Sequence, residues 1–134
     1  MFVNTISHIF LYLFLQNSLT LYSVINREYL FGNEKLPVTR VTLTSMSGRT
    51  HQLNVHCAAF GHPIVGDQTY GINGRAAPNG GIEAAKTSAN EDLQRQIADA
   101  VASAGKDTCV HATHIQFRHP ITKESVEFSS PAPF

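Results

Sequence analysis

The sequence predicts an α+β domain with a mixed, largely antiparallel sheet and flanking helices. Three observations predict it. Apolar, strand-like stretches come in pairs joined by turn clusters, first at residues 19–27 and 39–44, then at 109–117 and 126–128. Two segments between those pairs carry apolar residues at helical spacing. Strands and helices are mixed without a strict β-α-β rhythm, so a doubly wound parallel sheet is not expected.

The elements follow in order. Residues 19–27 alternate loosely and are rich in Leu, Tyr, Val and Ile, which reads as a strand. Phe31-Gly32-Asn33-Glu34-Lys35 is a turn cluster. The strand at 39–44 places Val41 and Leu43 on one face, so the two strands make a hairpin with a long loop. Ser47-Gly48-Arg49-Thr50 breaks that strand, and Thr50 is placed to N-cap a helix from His51 to about Phe60. Leu53, Cys57 and Phe60 form its stripe, Gly61 suits the left-handed residue after its end, and Pro63 prevents continuation. Turns are expected at Gly66-Asp67 and Tyr70-Gly71.

Residues 73–87, rich in Gly, Ala and Asn, read as an exposed loop. Ser88-Ala89-Asn90-Glu91 has capping-box spacing. Leu93, Ile97, Ala100, Val101 and Ala104 form the apolar stripe of the helix that follows, and Gly105 ends it. A third strand at 109–117, a turn at 119–124 and a fourth strand with Val126 and Phe128 on one face complete the chain.

A chain of 134 residues fits one domain or a large part of one. Ten Lys and Arg balance ten Asp and Glu, so the net charge is zero. Phosphate contacts supply most of the affinity of nucleic-acid binders, so an RNA site here must come from local clustering of charge. Cys57 and Cys109 form no CxxC pair, which points to reduced thiols and an intracellular protein, cytoplasmic or organellar. The apolar run at 9–15 falls far short of the ~20 residues that span a bilayer. No Lys or Arg precedes Arg27, so the charged start of a signal peptide is missing. Residues 1–17 are read as a hydrophobic leader of unknown status.

The informative stretch is Gly48-Arg49-Thr50-His51-Gln52-Leu53-Asn54-Val55-His56, continued by Gly61-His62-Pro63-Ile64-Val65-Gly66-Asp67 and Tyr70-Gly71. Polar residues crowd the start of a helix directly after a strand. Free amides there favour an anionic group such as phosphate, and Arg49 adds a bidentate donor. His51 and Gln52 can bond a base edge or hold the loop. The same side chains can equally do no more than satisfy the strand-to-helix turn.

Other chemistries find little support. His51 and His56 are five apart, not the four that puts two ligands on one helix face. His111 and His114 point to opposite faces of the strand expected there. No Cys or carboxylate completes a zinc set at usual spacing. There is no G-x-S-x-G elbow, and Asn79-Gly80-Gly81 lacks a Lys at P-loop spacing.

Residues 47–71, SGRTHQLNVHCAAFGHPIVGDQTYG, closely resemble the signature of the RluA-class pseudouridine synthases. The closing run VHATHIQFRHPITKESVEFSSPAPF is similar to that family's last strand pair. Thr20, Tyr22, Val24, Arg27, Thr39 and Val41 fit the strands before the signature. The resemblance covers residues 18–134, read as the C-terminal part of the family's catalytic domain, and leaves the leader outside.

The resemblance implies a partial pseudouridine synthase fold. It implies conversion of uridine to pseudouridine in structured RNA, rRNA or tRNA, by detaching, turning and rejoining the uracil through carbon. No cofactor and no metal are implied, and the base must first leave its stack. Arg49, Thr50, His51, Gln52 and Asn54 are the positions it assigns to the lining of the site and to RNA. The family's catalytic aspartate belongs to a His-Arg-Leu-Asp motif that this sequence does not contain. Asp67, Asp92, Asp99 and Asp107 do not match it, so the chain is expected to be a truncated enzyme, inactive alone. The family's Arg or Lys two residues after the Gln is Asn54 here, a neutral partner where an ion pair is implied. Two other readings stay open: a catalytically inactive RNA-binding paralogue, and a small membrane-associated protein anchored by residues 6–15.

Overall fold

The computed structural model describes residues 7–13, 16–72, 74–76 and 89–134, with side chains from Asn17 onward. The strands are β1 (Ser7–Leu13), β2 (Gln16–Tyr29), β3 (Pro37–Ser45), β4 (His114–Arg118) and β5 (Ser125–Ser129). The helices are α1 (Gln52–Ala59) and α2 (Glu91–Ser103). Every described strand pairing is antiparallel, in two separate sheets of order β1-β2-β3 and β4-β5. This is the α+β class the patterning predicts, divided between two sheets.

The first hairpin forms where its alternation places it. Tyr22 pairs with Leu43 and Val24 with Val41, and a bulge between Val24 and Asn26 shifts the register beyond them. A single-turn 3₁₀ segment, Leu30–Gly32, reverses the chain, with Phe31 and Gly32 at φ 53° and 70°. Leu30 N–H donates to Leu36 O at 2.9 Å across this reversal, and both residues are buried. There they meet Val101 of α2, with Val38, Val65, Leu93, Ile97 and Ala100 packed around them. Four of the five residues in the expected α2 stripe thus join this core, and Ala104 stays exposed. Burial of a side chain such as Val101 stabilises by about 1.5–3 kcal/mol.

Both helices end as their glycines predict. After α1, Gly61 takes φ 82°, its N–H donates to Ala58 O at 2.9 Å, and His62 N–H donates to Cys57 O at 3.0 Å. After α2, Gly105 takes φ 60°, with Gly105 N–H on Ala102 O and Lys106 N–H on Val101 O. Both are Schellman closures that satisfy the last carbonyls of the helix.

The helix starts differ from expectation. His51, not Thr50, occupies the N-cap of α1, in the left-handed region at φ 52°, and no side chain caps the helix. For α2 the cap is Asn90, whose Oδ1 accepts Asp92 N–H at 2.8 Å and Leu93 N–H at 3.2 Å. The helix therefore starts later than the capping-box spacing implied, because an Asn directly before it satisfies both free amides. Ser88 and most of the loop expected at 73–87 lie outside the described residues.

Two further differences concern the strands. Residues 109–113 are not paired as strand: Cys109 N–H is taken by Val65 O at 2.8 Å and Val110 N–H by Thr108 O at 2.9 Å. β4 starts only at His114, so His111 and His114 do not share a strand. Within the segment read as a leader, β1 pairs along β2 from Ser7↔Tyr22 to Leu13↔Gln16. The apolar run at 9–15 overlaps that edge strand, and a fourteen-residue β2 offers an unpaired backbone edge for it to satisfy.

Candidate functional site

The strand-to-helix corner is organised by Gln52. Its side chain is 5% exposed and makes four hydrogen bonds. Oε1 accepts from Ser47 Oγ at 2.8 Å and from Arg49 N–H at 3.2 Å. Nε2 donates to Leu19 O and to Thr20 Oγ1, both at 3.0 Å. The backbone N–H on one side and carbonyl on the other admit only one orientation of the amide, whose capacity is then filled. Leu19 N–H donates to Ser47 Oγ at 3.0 Å, closing a ring that fastens β2, the turn after β3 and the start of α1 together. Gln52 therefore faces β2 and builds the corner.

His51 and Asn54 face the other way. They line an open cavity of about 310 Å³ with Asp67, Gln68, Thr69, Tyr70, Asp107 and Thr108. Asp67 holds its floor. Oδ1 accepts Thr69 N–H at 2.8 Å and Tyr70 N–H at 2.9 Å, an Asx turn, while Oδ2 accepts Asn54 Nδ2–H at 2.9 Å. Tyr70, positioned by that turn, brings its hydroxyl to His51 Nδ1 at 3.0 Å, with the rings edge to face at 5.7 Å. Asp67 thus ties Asn54 to the Tyr70 backbone, and the Tyr70 hydroxyl at the far end of its ring meets His51.

Of the five residues singled out in the sequence, His51 and Asn54 meet at this cavity and Gln52 is buried behind it. Arg49 and Thr50 are exposed on the turn ahead of α1 and are not among the cavity's lining residues. Arg49 N–H is already bonded to Gln52, so that amide is not free for an anion. The lining holds two carboxylates and neither Lys nor Arg. Such a cavity suits a neutral group that hydrogen-bonds, a base edge or a sugar hydroxyl, better than a phosphate. Asp67 and Tyr70 are the members that the reading of the start of α1 missed. Their signal is the Asp67-x-Thr69 spacing of an Asx turn, already visible in the sequence.

Behind the corner, His56 is 1% exposed on the face of α1 that meets β2. Its Nε2 lies 2.9 Å from Ser18 Oγ, and its buried Nδ1 has no hydrogen-bond partner among the described residues. Burial in this setting pushes its pKa below the ordinary 6.5 and keeps the ring neutral. Burial, reinforced by the Asp67 charge, pushes the neighbouring Cys57 thiol up to about 11, which leaves it protonated and without nucleophilic character. Among the described residues no group of three or more His, Cys, Asp or Glu converges as metal ligands. Among them, too, no helix is long and apolar enough to cross a membrane.

No family model and no solved structure matches the chain. Curated proteins do. The chain is 36% identical over 117 residues to a dual-specificity RNA pseudouridine synthase RluA of Pasteurella multocida, covering 87% of this chain and 39% of that protein. It is 41% identical over 95 residues to the ribosomal large subunit pseudouridine synthase D of Vibrio cholerae, covering 71% of this chain and 25% of that protein. A human RNA pseudouridylate synthase domain-containing protein 1 is 62% identical over 40 residues, 29% of this chain and 13% of that protein. The chain thus spans well under half the length of these relatives. Their identity extends over most of its own residues, and on that ground the chain belongs to the RluA-class pseudouridine synthase family.

Proposed function

We propose that this chain forms part of the RNA site of a pseudouridine synthase, an isomerase that converts uridine to pseudouridine in rRNA or tRNA inside the cell. The observation that carries the reading is the 36–41% identity to RluA and synthase D proteins across most of the chain. The corner at residues 47–54 supports it, since a buried Gln52 bracket presents His51 and Asn54 to an open polar cavity. In this reading His51 and Asn54 meet the base or ribose of an extruded nucleotide. Arg49 and Thr50, on the exposed turn, meet the RNA backbone, and Gln52 positions all four.

The 134 residues contain no His-Arg-Leu-Asp motif, and Asp67 is committed to three hydrogen bonds. The chain by itself therefore makes no pseudouridine, because loss of a directly acting carboxylate removes the pathway. Two measurements test the proposal. RNA with mass-labelled uridine, incubated with the purified chain, should show no conversion, and turnover above background would contradict the assignment of catalysis to a missing motif. In filter binding between about 50 and 200 mM salt, Arg49→Ala should flatten the slope of log affinity against log salt by about 0.7, one single-strand phosphate. An unchanged slope and affinity would make Arg49 a residue of the turn alone. The absent motif also favours a second reading, a paralogue that binds RNA without modifying it. Restoring the family's aspartate-bearing segment separates the two, since a decayed site stays silent.

A further inference from the structure

His51 keeps a backbone that suits another residue type. It sits at φ 52° and ψ 24°, in the left-handed region, where a glycine is free and a side chain is strained. The imidazole takes no part in the Gln52 bracket. Its Nδ1 lies 3.0 Å from the Tyr70 hydroxyl, and no described residue bonds its Nε2. The two rings stand edge to face, at 70°. Tyr70 is placed by its own backbone. Its N–H donates to Asp67 Oδ1 at 2.9 Å, and Gly71 N–H donates to Asp67 O at 3.1 Å. A Cβ on Gly71 would collide with that carbonyl, so only glycine lets the turn close so tightly. Arg75 N–H and Ala76 N–H return to Gln68 O and Thr69 O, at 3.1 and 2.9 Å. The phenol is therefore set before the exposed imidazole meets it.

The chemistry of this pair selects one tautomer of His51. A phenol O–H is a strong donor, and its oxygen is a poor acceptor because a lone pair is drawn into the ring. A neutral imidazole offers one bare nitrogen as acceptor and one N–H as donor. The favoured arrangement has Tyr70 O–H donating to a bare Nδ1, which puts the ring proton on Nε2. We propose that Tyr70 is a positioning residue that fixes His51 as the Nε2–H tautomer, so that His51 donates a hydrogen bond to an uncharged oxygen of a bound nucleotide, a uracil carbonyl or a ribose hydroxyl. The proposal rests on the RNA-site reading above. The lining of the cavity argues for an uncharged acceptor. It holds Asp67 and Asp107 and neither Lys nor Arg, so a phosphate would meet two acidic side chains and no cation. The Thr69 and Tyr70 amides are spent on Asp67, which leaves Nε2–H as a donor open to a ligand.

Nitrogen NMR of the full 134-residue chain, labelled with ¹⁵N in histidine, reads the tautomer directly. At about pH 8, above the ordinary histidine range, His51 Nδ1 should show the shift of a bare nitrogen and Nε2 that of a protonated one. His51→Gly, which suits the left-handed backbone, identifies the signals among the seven histidines. Tyr70→Phe keeps the ring and removes only the hydroxyl, so the two shifts should move toward each other as the tautomers mix. A proton on Nδ1 in the parent, or identical shifts in parent and Tyr70→Phe, would overturn the proposal. Binding of a uridine-rich RNA supplies the second readout. Tyr70→Phe should weaken it about two- to tenfold, the worth of one neutral hydrogen bond, with the salt slope unchanged. In the His51→Gly background the same change should cost nothing further. A loss that persists without His51 would make Tyr70 merely structural, and a slope flattened by about 0.7 would give His51 a phosphate. Either result overturns the proposal. A 2′-deoxy oligomer separates the two acceptors, both of which support it. An effect of Tyr70→Phe that survives on that oligomer assigns the uracil carbonyl, and one that vanishes assigns the ribose hydroxyl. The expected tautomer in a chain that binds no RNA counts against the proposed function and leaves the hold of Tyr70 on His51 standing. RNA binding by a chain with the proton on Nδ1 does the reverse.

Discussion

Asn54 donates its side-chain amide to the Asp67 carboxylate at 2.9 Å, and this bond governs what position 54 can offer to an RNA. The acceptor is a carboxylate side chain that is itself oriented by two backbone amides. A cation placed at 54 would find a partner within the chain before it found a phosphate.

Asn54→Arg should therefore leave the salt slope of RNA binding unchanged, because the new guanidinium pairs with Asp67. Adding Asp67→Asn to it should release the arginine and steepen the slope by about 0.7, one single-strand phosphate. Filter binding of both variants decides. A steeper slope in Asn54→Arg alone would show that side chain turned away from Asp67.

Gln52→Leu should destabilise the fold on the order of 2 kcal/mol or more, since each buried polar group left unpaired costs about 1–3 kcal/mol. The Thr20 hydroxyl, with no solvent exposure, is the first such group. Urea unfolding measures the loss. Because Gln52 faces β2, the salt slope of RNA binding by the folded variant should match that of the parent. A changed slope with unchanged stability would place Gln52 on the RNA instead.

Gly61 sits at φ 82° in the closure of α1. Gly61→Val forces a β-branched side chain into the left-handed region and should cost on the order of 1–3 kcal/mol. Gly48→Ala is the control, since nothing lies within 4 Å of a Cβ there and no positive φ opposes it. Equal stability of the two variants in chemical denaturation would contradict the helix closure.

His56 makes the fold sensitive to acid. Burial lowers its folded pKa beneath the ordinary 6.5 of the unfolded chain. As pH falls through 6.5 the unfolded state takes up a proton that the folded state refuses, so stability drops until the folded pKa is reached. Above 6.5 the contribution is complete. The steepest slope one such group gives is about 1.4 kcal/mol per pH unit. His56→Gln should flatten the dependence of stability on pH below 6.5, read against the six other histidines that remain. Parallel pH profiles for parent and variant would show that His56 titrates freely in both states.

The sequence by itself determined the features that short stretches of chain control. Alternation in residues 19–27 and 39–44 was enough for the first hairpin, because the side-chain period of two couples register to burial. Gly61 and Gly105 marked both helix ends, since a left-handed residue is nearly free for glycine alone. The motif at residues 47–71 marked the family and located the corner. Tertiary structure decided which way the corner's residues face. Arg49, Thr50, His51, Gln52 and Asn54 are neighbours in the chain, yet Gln52 turns to Leu19 and Thr20 while Asn54 turns to Asp67. Those partners stand 33, 32 and 13 residues away, and no local propensity carries such distances. The cap of α1 followed from the same cause. Thr50 had the better side chain for it, but the Gln52 bracket takes Arg49 N–H and His51 accepts a left-handed backbone. The strand at residues 7–13 was hidden for a related reason. An apolar run states that a segment seeks cover, and the open edge of β2 supplies the place.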